Sequence, residues 1–343
     1  MTQDRITLNG VPGSPYTRKM LALLRYRHLP YRLILASHAG PRGLPRPKVS
    51  LLPTFYFPDE TGALQPVTDS TPILRRLERD YAGRSARPSD PALAFLDALL
   101  EDYGDEWLTK AMFHYRWAYD ADVARAAAIL PAWRGAQTPD ETLQQAGREV
   151  SERQISRLRY VGSNPTTGPI IEESYARFLD LFEAHLREHP FMLGDRPAAC
   201  DFAAFGQLTQ LAQFDPTPMA LTLERAPRVF AWVSAVEDLS GVEPQDSDWF
   251  DPAALPATLK ALLAEVGRVY APLLLANAAA VRSGAEQVET EIAGGAWTQQ
   301  PFTYQAKCLQ WLREEYATLD AGAKAKVDAA LAGTGCEVIL AGL

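Results

Sequence analysis

The sequence predicts a small α/β domain at the N-terminus and a large, mainly helical remainder. Three observations carry this. Between Ile6 and Leu77 the apolar spacing alternates between strand and helix periods, in the order βαβ and then ββα. Residues 82–91 are polar and proline-bearing, as a domain linker is. Beyond them nearly every apolar pattern has the helical period.

The elements follow in order. Ile6-Thr7-Leu8 alternates and runs into Gly10-Val11-Pro12-Gly13, a strand giving way to a turn. Ser14-Pro15 opens a helix, because serine can cap free N–H groups and proline has none to lose at the first helical position. Met20, Leu23 and Leu24 mark its buried face, and Pro30 stops it. Residues 31–35 read as a second strand, completing a βαβ unit of about 30 residues. Residues 36–50 form a loop rich in proline, glycine and basic residues. A strand through Phe55, the turn Asp59-Glu60-Thr61-Gly62 and a strand at 64–67 make a hairpin. Asp69-Ser70-Thr71-Pro72 then repeats the cap-then-proline pattern ahead of Ile73, Leu74 and Leu77. Later helices are expected at 93–119, 141–159, 173–187, 201–213, 229–240, 259–275 and 305–316, with a hairpin around Gly294-Gly295.

Apolar residues make up 47% and charged residues 22% of the 343-residue chain, ordinary globular usage that argues against disorder. The net charge of -8 repels phosphate backbones and anionic membranes, so nucleic acid and membrane are not expected partners. Residues 1–5 lack a basic segment followed by an apolar run, and a cytoplasmic location is expected. Cys200, Cys308 and Cys336 form no CxxC pair, and no metal site is expected from them. His185 and His189, at i and i+4, read as solvated helix-face residues.

Ser14-Pro15-Tyr16, Pro53 at the head of a hairpin strand and Asp69-Ser70 capping the next helix together resemble the glutathione transferase family, over roughly residues 5–245. The resemblance implies a thioredoxin-like glutathione-binding domain at 1–82 and an all-α co-substrate domain of glutathione-transferase type at 92–250. Residues 251–343 are then an extension, mainly helical and packed on the helical domain. It further implies glutathione as co-substrate without a metal, a small apolar electrophile as the other substrate, a homodimer, and a role in detoxification. A non-catalytic binding or assembly protein of the same fold is the alternative.

A thiol of pKa about 8.5 is only slightly ionised at neutral pH, so the catalyst must stabilise the thiolate. A hydroxyl at a helix N-terminus can do so, each pKa unit being worth ~1.4 kcal/mol. Ser14 matches the serine-type motif and Tyr16 is the second candidate; the Ser14 hydroxyl can equally be a plain cap competing with that role. By the same resemblance Pro53 is the family's cis-proline, Leu52 pairs with the peptide through its main chain, and Asp69 and Ser70 receive the γ-glutamyl end. Simple edge-strand and capping roles remain open for these residues. Arg42, Arg46 and Lys48 are candidates for the glycyl carboxylate. Tyr103, Trp107 and Met112 on the first long helix are expected to border the co-substrate pocket, and Glu106 is expected to bridge Lys110 at i, i+4. Ala198 stands where Ser or Thr would cap the helix of Asp201, so half of that cap is missing.

Overall fold

The computed structural model describes residues 5–35 and 41–341. The start of the chain used in the location argument, and residues 36–40 of the expected loop, lie outside them. Strands β1 (Ile6–Gly10), β2 (Tyr31–Leu35), β3 (Thr54–Pro58) and β4 (Leu64–Val67) form a sheet of order β2-β1-β3-β4. β1 and β2 are parallel, with helix α1 (Pro15–Tyr26) as the crossover, and the β3–β4 hairpin is antiparallel to β1. Helix α2 (Ser70–Asp80) closes this unit, which has the thioredoxin-like arrangement expected. Leu8 and Phe55, paired across β1 and β3, are fully buried beneath Met20, Leu23 and Leu24 of α1. At the β3–β4 turn Asp59 accepts N–H bonds from Thr61 and Ala63, and Gly62 takes the left-handed φ of +83° that the turn requires.

The remainder is helical. The expected helix at 93–119 divides into α3 (Pro91–Glu106) and α4 (Leu108–Ala118). The division is a single tightened turn, where the Lys110 N–H bonds the Trp107 carbonyl three residues back. Then come α5 (Asp120–Ala132), α6 (Asp140–Ile155), α7 (Gly168–His185), α8 (Ala199–Leu211), α9 (Pro216–Arg225) and α10 (Pro227–Val236). After these, α11 (Ala257–Ser283), the β5–β6 hairpin (Val288–Ile292 and Gly295–Gln299), α12 (Thr303–Thr318) and α13 (Ala321–Leu331) follow. α11 packs on α7, while α12 and α13 pack along α3.

Three helices, α5, α9 and α13, escaped the sequence reading. The alanine-rich α5 buries only Asp122, Ala126 and Pro131, so it carries no apolar stripe to detect. α9 opens with Asp215-Pro216, the cap-then-proline pattern, although the Asp215 carboxylate in fact pairs with Arg116. His185 is not solvated: it is fully buried and bonded to Thr258 and the Phe191 carbonyl, with His189 packed edge-on against Phe250. At α8 the half-cap stands as expected. Alanine has no acceptor, so only Asp201 acts, taking N–H bonds from Ala198 and Met192 at 2.9 Å.

α1 lies against α8, with their backbones touching at Gly206. A Cβ there would meet the Pro15 carbonyl oxygen at 2.5 Å, so glycine is what allows α1 to sit this close. That contact fixes the Ser14 end of the sheet unit against the helical unit.

Candidate functional site

A cavity of about 610 Å³ opens where the sheet unit, α3–α4 and the start of α12 meet. The sheet side contributes Leu51, Leu52, Pro53, Asp69 and Ser70, and α1 adds Tyr16. The Leu52-Pro53 peptide is cis. Asp69 adopts φ +83°, and its Oδ1 accepts the Thr71 N–H at 3.3 Å, capping α2 with Ser70 buried just inside. Such a φ is uncommon outside glycine. It turns the Asp69 side chain and the first N–H groups of α2 to one place, where the helix dipole favours an anion.

Ser14 lies directly behind this wall. Its Oγ accepts the Thr17 N–H at 3.2 Å and donates to the Leu52 carbonyl at 3.3 Å. The two roles weighed for this hydroxyl therefore do not compete as the sequence suggested. Capping uses a lone pair, and the proton is held separately by a long bond to Leu52. The turn before Ser14 is clamped from the helical side: Arg116 of α4 donates to the Gly13 carbonyl and Gln210 of α8 to that of Pro12. Arg116 is itself held by the buried carboxylate of Asp215.

Tyr16 donates to the Asp105 carbonyl at 2.8 Å, and burial, with Glu106 and Asp105 nearby, pushes its phenol well above the usual tyrosine range. Behind it Lys19 is fully buried, donating to Glu101 at 2.8 Å and Asp105 at 2.5 Å, with the Thr71 hydroxyl on the same carboxylates. Burial opposes a charge on Lys19, but Asp105 and Glu101 outweigh it and raise its pKa. This cluster ties α1, α2 and α3 together.

On the helical side Asp105, Glu106, Thr109 and Lys110 line the cavity. Among the described residues Glu106 and Lys110 do not close the expected bridge. Glu106 accepts from Gln305 at 3.1 Å, and Lys110 donates to the Val161 carbonyl and Gln299. Burial, then Asp102, pushes the Glu106 carboxyl up; burial pushes the Lys110 ammonium down. Tyr103, Trp107 and Met112 lie outside this cavity. Tyr103 packs against Phe178 and Tyr270, Trp107 bonds Ser174 and packs on Trp297, and Met112 is buried in the core. On α3–α4 these three face inward, and the polar positions between them face the cavity. Arg42, Arg46 and Lys48 are exposed and do not line it either.

The third side was not foreseen. Phe302, Thr303, Tyr304, Gln305 and Lys307 complete the lining, and the Tyr304 hydroxyl donates to Asp69 Oδ2 at 2.8 Å. At the mouth Val49, Leu51, Tyr160 and Phe302 are 60%, 48%, 48% and 42% exposed, an apolar rim around an interior in which Asp69, Ser70, Asp105, Glu106 and Lys110 are set among Leu52, Pro53 and Val161. Among the described residues no group of His, Cys, Asp and Glu is placed to hold a metal ion, and no helix is long and apolar enough to cross a membrane.

Comparison with known proteins adds two findings. The family model for the glutathione S-transferase N-terminal domain matches residues 8–85, and that for the C-terminal domain matches residues 118–235, together more than half of the chain. No curated relative matches. Among solved structures, a glutathione transferase family member from Pseudomonas fluorescens, with two glutathione bound, is similar at 14% identity. The match covers 67% of this chain and 87% of that one, with a TM-score of 0.43. A glutathione transferase from Burkholderia graminis, also with two glutathione molecules per subunit, is similar at 16% identity, 75% and 87% coverage and a TM-score of 0.42. A poplar glutathione transferase is similar at 19% identity, 68% and 92% coverage and a TM-score of 0.40.

Proposed function

Because this chain belongs to the glutathione S-transferase family, we propose that it is a glutathione-dependent transferase whose second substrate is a small apolar electrophile. The observation that carries the reading is the joint placement of Leu52, Pro53, Asp69 and Ser70 on one cavity wall, with the Ser14 hydroxyl bonded to the back of it. Leu52 offers its main chain to the peptide, and Asp69 and Ser70 take the ammonium and carboxylate of the γ-glutamyl end.

The Ser14 proton is the movable part. Rotation about its Cβ–Oγ bond leaves the oxygen in its capping place and redirects the proton from the Leu52 carbonyl to the ligand sulfur. The thiol gives its proton to solvent, and a hydrogen bond from Ser14 to the anion, aided by the positive end of α1, favours the thiolate that remains. The thiolate then attacks the electrophilic carbon, and the leaving group departs with the bonding electron pair. Tyr16 stays second in this assignment, since its proton is committed to Asp105. The apolar rim is the feature that favours an apolar co-substrate. On this reading the chain is a cytoplasmic, homodimeric detoxifying enzyme.

The engagement of Asp69 by Tyr304 favours a second reading, a non-catalytic binding or assembly protein that keeps the fold. A calorimetric titration with reduced glutathione, followed by thioether formation from a chloronitroarene, separates the two. Binding with turnover supports the transferase. Binding without turnover on a panel of electrophiles, or no binding of glutathione, supports the second reading and overturns the first.

A further inference from the structure

Tyr304 belongs to α12, outside both segments matched by the family, yet its hydroxyl reaches Asp69 and both side chains line the cavity. Its position is set by the core. Asn277 of α11, fully buried, clasps the residue before α12 from two sides, donating to the Phe302 carbonyl and accepting the Phe302 N–H, each at 2.8 Å. The Tyr304 ring is held between Phe302 and Trp311. The hydroxyl is thus delivered to Asp69 by a rigid mount.

Asp69 is held at both oxygens, by the Thr71 N–H at Oδ1 and by Tyr304 at Oδ2. An ionised carboxylate offers about four lone-pair sites, so one acceptor position per oxygen remains for a cation. With a donor on each oxygen, rotation of the carboxylate is blocked and those two positions are fixed in direction. Burial pushes the Asp69 carboxyl up, and the Tyr304 hydroxyl and nearby Lys19 offset only part of that rise.

We propose that Tyr304 is a positioning residue that orients the Asp69 carboxylate to receive the ammonium group of the bound peptide, so that the C-terminal segment is a working part of the thiol-peptide site. The proposal rests on the glutathione reading above. It assigns residues 302–304 a task in ligand recognition. The same contact could act as a latch that the ligand must displace, and the two cases differ in sign.

The test is calorimetric, on the full chain, with reduced glutathione and N-acetylglutathione, in which the ammonium has become a neutral amide. Tyr304→Phe keeps the ring and removes only the donor. It is expected to weaken glutathione about tenfold, which is ~1.4 kcal/mol and within the range of one hydrogen bond to a charged group. It should leave N-acetylglutathione unchanged, and in turnover KM for glutathione should rise while kcat holds. In the Asp69→Asn background the same substitution should add little. Tighter glutathione binding by Tyr304→Phe would overturn the proposal in favour of a latch. Equal weakening of both ligands would overturn it in favour of a purely structural role. If the wild-type chain binds neither ligand, the glutathione reading fails and the proposal falls with it; if glutathione binds equally well to wild type and variant, only the proposal fails.

Discussion

On the sheet side of the cavity the polar groups are hydroxyls and main-chain amides gathered at helix starts, with Asp69 the one carboxylate among the lining residues. On the α3–α4 side they are buried carboxylates and an ammonium group: Asp105, Glu106 and Lys110 line the cavity, and Glu101 with Lys19 of α1 lies behind them. Helix-start capping groups hold their positions by single neutral or backbone bonds, each loss of which costs about 1 kcal/mol. Buried charges hold theirs only while every partner is present, and some titrate within reach of neutral pH. The first wall is suited to recognising a ligand, with Asp69 its one titrating carboxyl. The second couples three helices and makes the fold pH-sensitive.

The sharpest way to break this comparison is Lys19→Met. Removing the ammonium strands Glu101 and Asp105 in the interior, and about 3–5 kcal/mol of stability should be lost at neutral pH. Denaturant unfolding measures it, and a loss below about 1 kcal/mol would mean that the α3–α4 wall does not depend on its charges.

The next effect is a pH slope. Glu106 is raised from 4.5 to about 8 in the folded chain, so the folded state holds more protons than the unfolded state between those values. Its contribution to stability is fully present below about 4.5 and lost as pH rises through about 8. Lys110 is lowered from 10.5 to about 8, so its contribution is present above 10.5 and lost as pH falls through about 8. Together they predict a stability minimum near pH 8. Asp97, Asp102 and Asp201, each raised to about 7 by burial, share the sign of Glu106. Glu106→Gln should therefore flatten the descending limb without abolishing it, in unfolding curves taken from pH 5 to 9; an unchanged slope would exclude Glu106 as a source.

The smallest effect is expected on the sheet side. Ser14→Ala should cost about 1 kcal/mol, the worth of one N-cap, read as a small shift in the same unfolding assay. A cost like that of Lys19→Met would erase the distinction between the walls.

The two walls also differ in how far the amino-acid order reveals them. Ser14 and Asp69 each accept a capping N–H from two or three residues on, so residue type and spacing over a few positions are enough to place the caps, whereas the Ser14 bond to Leu52 and the Tyr304 bond to Asp69 come from further along the chain. Lys19 stands beside Met20 on α1, and nothing local shows that its partners are Glu101 and Asp105 of α3. On α3–α4 the aromatic residues drew attention as pocket candidates. Apolar burial sends Tyr103, Trp107 and Met112 into the core, and the cavity takes the residues between them. Tyr304 and Gln305 are the extreme case, because their relevance depends on α12 folding back along α3 to Asp69 and Glu106. The Asn277 clasp that sets their position spans a separation no periodicity reports.

The account turns on the Ser14 proton. The most direct test is the ultraviolet absorbance of the thiolate in bound glutathione, followed against pH in the wild type and in Ser14→Ala. The account predicts that the bound thiol ionises below its free pKa in the wild type and returns toward the free value in the variant, with binding retained. Equal ionisation in both, with glutathione bound, would contradict the assignment of Ser14 as the thiolate donor.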